Sequence, residues 1–270
     1  MKILITGVAG FIGFHTATRL LENKKNSVYG VDNLNDYYDV NIKKDRLSYL
    51  KKRKNFIFYK VDINNQKKIK NIVIKNKITH IINLAAQAGV LYSIENPRKY
   101  LDTNIIGFYN LLEVCRDCKI SHLIYASTSS VYGDNSNFPL REDEPVNKPL
   151  SFYAATKISN EVMAHSFSNV YGVSSTGLRF FTVFGPFGRP DMALFKFTKA
   201  ILSNEYVTLF NKGKHVRDFT YIDDVVDVIT KLVNKPPKSD IPHDIFNVGS
   251  SNPQELKKYF LTNSDLMLCV

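Results

Sequence analysis

The sequence predicts an α/β fold, a doubly wound parallel sheet with helices on both faces and a smaller C-terminal region beside it. Three observations carry this reading. Short β-rich runs alternate with helix-length segments through most of the chain, the pattern of βαβ units. The first run ends in a glycine-spaced turn that opens a helix. Beyond Phe180 the rhythm changes to a Gly/Pro-rich stretch, GPFGRPDMA, followed by mixed short elements.

The predicted strands are KILIT (2–6), SVYGVD (27–32), NFIFYKVD (55–62), THIINLA (79–85), HLIYAS (122–127) and VSSTGLRF (173–180). Helix-length segments lie between them, among them Phe11–Asn23 and Arg98–Cys118. After GPFGRPDMA come a helix, short strands and another helix. DIFNVGS (244–250) then returns as a further sheet member, and KPPKSDIP (235–242) is a turn-rich connection. The expected division is residues 1–180 with return elements at about 217–250, interleaved with a second region, 181–270.

Bulk properties narrow the function classes. The chain has 270 residues, 44% hydrophobic, and no apolar stretch approaches the roughly 18 residues of a membrane span. MKILITGVAG lacks a cleavable signal pattern, because Gly7 interrupts its apolar run. The expectation is a cytoplasmic protein without membrane contact. Three cysteines are too few for a disulfide scaffold. Cys115 and Cys118 fall late in a helical stretch, whereas a redox pair would open its helix, and no metal site is expected. The net charge of +11 is concentrated in residues 43–77, with 13 Lys/Arg against 2 Asp/Glu. Lysine dominates and no DNA-binding spacing accompanies it, so this reads as solvated faces rather than a nucleic-acid surface.

The glycine turn is more informative. ITGVAGFIGFH places Gly7, Gly10 and Gly13 in a GxxGxxG spacing, with Phe11 and Ile12 between the last two. Glycines allow the tight turn and let backbone approach a pyrophosphate, which the following helix N-terminus favours. An ordinary glycine-rich turn has the same spacing. Here strand and helix flank it, and Asp32 ends the second strand, with Asn33 next. A carboxylate there accepts from ribose hydroxyls and repels a 2′-phosphate, which favours NAD over NADP in a Rossmann-type domain.

SFYAATK carries Tyr153 and Lys157 on one helical face. A phenol is a poor base at neutral pH. A nearby ammonium and a positive nicotinamide ring favour the phenolate, making Tyr153 a candidate general base with Lys157 as its partner. The competing reading is a surface Tyr–Lys pair. Position argues against it, since the stretch opens the helix after the hydroxyl-rich YASTSSVYG.

Together GxxGxxG, DNLNDYYDV, NLAAQAG, YASTSSVYG, YAATK, LRFFTVFGPFGRPDMA and RDFTYIDD resemble the extended short-chain dehydrogenase/reductases. More closely they resemble the NAD-dependent UDP-glucuronate 4-epimerases, from Met1 to about Tyr259. The resemblance implies bound NAD and an oxidise–rotate–reduce cycle on a UDP-sugar. It makes Thr128 the hydroxyl that assists Tyr153. Dehydratases of similar fold carry Thr-Asp-Glu at this turn, and UDP-glucuronate decarboxylases carry a Glu. Thr128, Ser129 and Ser130 supply no such acid, and with Thr182 they offer neutral donors to a substrate carboxylate. In the alternative, Ser129 and Ser130 only cap the turn. The resemblance also assigns Ser127 to the nicotinamide and Arg189 and Arg217 to the nucleotide part. Asp62, Ile63, Leu84, Ala85, Ala86 and Asn104 go to the cofactor pocket, although Asp62 could merely end a strand and Asn104 merely order backbone.

Two departures matter. Leu91 stands in GVLYSIENP where close relatives usually place Arg. Relatives also continue beyond this C-terminus, and Asn252-Pro253-Gln254-Glu255 reads as a helix start with little chain to follow. The expectation is a truncated C-terminal region with a poorly ordered tail. Two other readings stay open: a 4-epimerase of another UDP-hexose, and a non-catalytic NAD-binding fragment. The sequence leaves a homodimer undecided.

Overall fold

In the computed structural model, residues 1–135, 138–206, 214, 216–256 and 258 are described. The expected disorder of the tail falls on residues 259–270, outside them. Seven strands form one parallel sheet in the order β3-β2-β1-β4-β5-β6-β9. These are β1 (Lys2–Thr6), β2 (Ser27–Asp32), β3 (Phe56–Lys60), β4 (His80–Asn83), β5 (His122–Thr128), β6 (Ser175–Phe180) and β9 (His243–Val248). Strand order reverses between β1 and β4, and a crevice opens beyond their carboxyl ends, where open α/β sheets bind ligands. The fold class read from the sequence is therefore the one found.

Helices cover both faces because both faces of such a sheet are apolar. On one side α1 (Phe11–Glu22), α2 (Val40–Lys51) and α9 (Ile222–Leu232) bury Phe14, Leu20, Leu47, Leu50, Val225 and Ile229 in one cluster. On the other, α3 (Gln66–Asn76), α6 (Phe108–Asp117) and α7 (Phe152–Tyr171) contribute Ile69, Phe108, Leu112 and Ala164 to a second. A three-stranded sheet stands at the cleft, with β8 (Val216–Tyr221) between β7 (Thr182–Phe184), parallel to it, and β10 (Pro253–Glu255), antiparallel. The short helix α8 (Ala193–Leu202) lies between β7 and β8 in the chain. Among the described residues no helix is long and apolar enough to cross a membrane.

Two expectations need correction. The predicted helix over Arg98–Cys118 is not continuous α: α4 (Val90–Glu95) and α5 (Pro97–Tyr100) lead into a π-helical stretch, Leu101–Gly107, before α6. The helix expected to start at Asn252 is instead strand β10, in register with β8 through Pro253–Asp218 and Gln254–Arg217. Pro253 tolerates this because it opens the strand, where a missing N–H costs least. The ladder with β8 outweighs the local capping pattern.

Candidate active site

One cleft of about 1430 Å³ runs along the carboxyl ends of the main sheet to the small sheet. Nearly every residue singled out in the sequence lines it. At one end are Gly7, Gly10, Phe11, Ile12 and Gly13. Asp32, Asn33, Asp62, Ile63 and Leu84 to Ala86 flank them. Ser127 to Ser130, Tyr153 and Lys157 stand at the centre, and Thr182, Arg189 and Arg217 beyond. Asn104 is the exception.

The glycine turn fits a dinucleotide by its own geometry. Gly7 has φ +69°, and a Cβ there would come within 2.6 Å of the Ala85 nitrogen. No side chain caps α1 at Gly10, which leaves the first-turn N–H groups uncapped beside the cleft. The Asp32 carboxylate accepts from the Ala9 N–H (3.1 Å) and the Leu34 N–H (2.8 Å), and burial raises its pKa against those bonds. Each oxygen keeps a lone pair for a ribose hydroxyl. Asn33 Nδ2 donates to Asp62 Oδ2 at 2.7 Å, pinning the neighbouring wall.

Tyr153 and Lys157 open α7, whose N-cap is Ser151, accepting from the Ala154 N–H. Burial raises the Tyr153 pKa; Arg189 and a hydrogen bond with Thr128 oppose it. Lys157 Nζ donates to the Ala126 carbonyl at 2.8 Å, and burial lowers its pKa to about 8 while Glu161 opposes that shift. Thr128 Oγ1 accepts from the Ser130 N–H at 3.2 Å, so Thr128 caps this turn rather than Ser129 or Ser130. Ser127 lines the cleft, yet its hydroxyl donates to Glu161.

Farther along, Arg189 makes a two-pronged pair with Asp191, which also accepts from the Tyr37 hydroxyl at 3.1 Å. Burial first, then Asp191, pushes the Tyr37 phenol up to about 12. Arg217 Nη1 donates to the Val216 carbonyl. Leu91, 70% exposed, stands at the cleft lip.

Asn104 does not line the cleft, and its contacts are those of the alternative reading, in which it orders local backbone. Its amide is consumed inside: Oδ1 accepts from the Gln87 N–H (2.8 Å), and Nδ2 donates to the Gln87 carbonyl (3.0 Å) and Thr156 Oγ1. It holds the loop that follows β4. The basic run also needs correction. Lys43 and Arg46 are buried, and Arg46 donates to the carbonyls of Ala9 and Phe187, tying the glycine turn to the GPFGRPD stretch. Their signal was present: Lys43, Arg46, Leu47 and Leu50 share one face of α2. Asp191, Tyr37 and Glu161 were likewise missed. Among the described residues no group of three or more His, Cys, Asp or Glu is placed to hold a metal ion.

Comparison with known proteins agrees with this arrangement. Protein CapI of Staphylococcus aureus is 49% identical over 96% of this chain and 81% of its own length. A probable UDP-glucuronate 4-epimerase of Rhizobium meliloti is 41% identical over 97% of this chain and 81% of its own. The crystal structure of UDP-glucuronic acid 4-epimerase from Bacillus cereus, in complex with UDP-glucuronic acid and NAD, superposes with a TM-score of 0.92 at 34% identity. It is matched over 98% of this chain and 83% of that one. Residues 3–249 match a family as a whole, and the chain belongs to the NAD dependent epimerase/dehydratase family.

Proposed function

We propose that this chain is an NAD-dependent 4-epimerase of UDP-glucuronate. The observation that carries the reading is the convergence of Tyr153, Thr128, Ser129, Ser130, Thr182 and Arg189 in one cleft, with hydroxyls where a dehydratase needs acids. NAD, when bound, supplies the reversible hydride acceptor at the sugar's C4. Residues 1–180 and their return elements would hold it, and 181–270 would complete the sugar side. Gly7 to Gly13 and Asp32 would receive its diphosphate and ribose.

Tyr153 takes the proton of the 4-hydroxyl and returns it once the ring has turned over. Thr128 keeps a hydrogen bond on the same oxygen without changing charge. Ser129, Ser130 and Thr182 offer the sugar carboxylate neutral donors, so no rigid clamp opposes the turn. Arg189 serves the anionic substrate after exchanging Asp191 for it, and Arg217 meets the nucleotide part. A homodimer is supported by exposed Ile106, Tyr109, Val162 and Val170 on adjoining helical segments.

The test equilibrates purified protein separately with UDP-glucuronate, UDP-glucose and UDP-N-acetylglucosamine and resolves the products. UDP-galacturonate from the first is expected; product from a neutral sugar alone would overturn the carboxylate argument. Thr182→Asn is expected to weaken turnover of UDP-glucuronate more than of neutral UDP-hexoses, and equal effects would count against Thr182. Leu91→Arg adds a cation at the mouth of the cleft. Its expected effect is roughly threefold to tenfold tighter UDP-glucuronate binding at low salt, vanishing at high salt, read by titration calorimetry.

A further inference from the structure

Beneath Tyr153 and Lys157 lies a buried ion pair that the proposed chemistry does not use. Glu161 follows Lys157 by four residues on α7, so Tyr153, Lys157 and Glu161 share one helical face. The side chains of Glu161 and Arg179 are 5% and 3% exposed. Arg179 Nε and Nη2 donate to the two Glu161 oxygens at 3.0 and 2.9 Å, and the Ser127 hydroxyl donates to Oε1 as well.

The register gives this pair its reach. Ser127 on β5 lies opposite Arg179 on β6, and Arg179 lies opposite Asn247 on β9. Arg179 Nη1 donates to the Tyr132 hydroxyl (2.8 Å), which donates to Asn247 Oδ1 (2.7 Å). The row therefore runs from α7 across three strands to cleft-lining Tyr132 and Asn247. One residue before Ser127, the Ala126 carbonyl takes the Lys157 ammonium. Lys157 and Glu161 thus grip consecutive residues at the end of β5.

We propose that Glu161 is the positioning residue of this site, seating α7 on β5 through Ser127 and Arg179 and holding the Lys157 ammonium against the Ala126 carbonyl. This rests on the role proposed above for Tyr153 as the base and on the reading of Lys157 as its partner. A buried ion pair does not generally out-stabilise an apolar pair of similar volume, because desolvation offsets the attraction. Stability alone is a weak reason for this one, and a place beside the site is a better one. Charged and titratable groups on elements packed against α7 include Glu95 on α4 and Arg98, Lys99 and Tyr100 on α5. Others are Asp102 in the π-helical stretch, Glu113 and Arg116 on α6, Tyr125 on β5, Tyr132 in the turn after it, Arg179 on β6, and His243 and Asp244 on β9. On α7 itself are Tyr153, Glu161, His165 and Tyr171, and Glu161 is the one whose charge acts on Lys157, favouring the ammonium against burial.

The test follows the Lys157 side chain directly. Lysine-labelled protein, as purified, is titrated by carbon-13 NMR, with the Lys157 signal assigned by its loss in Lys157→Met. The wild-type midpoint is expected at about 8. In Glu161→Leu/Arg179→Met, an apolar pair of similar volume, it is expected to fall by about one unit, a tenfold fall in the ammonium-to-amine ratio at fixed pH. Glu161→Gln carries the same measurement. An unmoved midpoint in either folded variant overturns the proposal. Failure of both to fold also overturns it, assigning the pair to the fold instead. Because no turnover is needed, a wild-type chain inactive on every UDP-sugar would remove the functional reading without touching this result.

Discussion

Tyr153→Phe is expected to lower epimerisation by about 10²–10⁴-fold while the protein keeps its dinucleotide. The phenylalanine ring fills the same space, so the contacts of the aromatic face survive. What goes is the oxygen that accepts the 4-hydroxyl proton, together with its hydrogen bond to Thr128. The remaining hydroxyls cannot replace it, because an unassisted serine or threonine hydroxyl is a far weaker base than a phenolate. Steady-state turnover and the dinucleotide released on denaturation read the two halves separately. Turnover within about threefold of wild type would place the base elsewhere in the cleft.

Gly13→Ala is expected to act at the opposite end of the site and for a steric reason. A Cβ at Gly13 would sit 2.2 Å from the Gly7 carbonyl oxygen and 2.9 Å from the Val8 Cα. Both are backbone atoms, so no side chain can rotate away and the turn itself must open. Overpacking of this kind costs about 1–3 kcal/mol. The cost falls on the surface that would receive the diphosphate, so NAD affinity is expected to drop by about ten- to a hundredfold or more. Fluorescence titration with NAD and the melting temperature check this, and unchanged affinity would move the diphosphate away from the turn.

The main sheet was legible because its signals are dense and mutually consistent. Apolar runs of strand length alternate with amphipathic helices, and β1, β2 and β6 fall within two residues of where hydrophobicity alone puts them. Candidate residues on strand ends and in the glycine turn line one cleft because topology gathers strand ends at one edge. What escaped depends on contacts between distant segments. Lys43 and Arg46 look like part of a solvated basic run until α2 packs on the glycine turn and Arg46 finds the Ala9 and Phe187 carbonyls. Asn104 looks like a pocket residue, but a π-helical stretch carries it, and its amide meets the Gln87 backbone instead. Asn252 to Glu255 follow a helix-start pattern that a ladder partner from β8 overrides.

The way the two sheets are joined has a mechanical consequence. Between β6 and β7 stands one residue, Phe181, and β8 runs into α9 with none between Tyr221 and Ile222. The third crossing, from β9 to β10, has four, Gly249 to Asn252. Swinging domains need connecting residues whose dihedral angles absorb the rotation, and two of the three joints offer one residue or none. Those two joints tie the walls of the cleft closely to one another. In a 4-epimerase built this way the turning is done by the small body in the cavity, pivoting about its own tether, while the enclosure around it stays still.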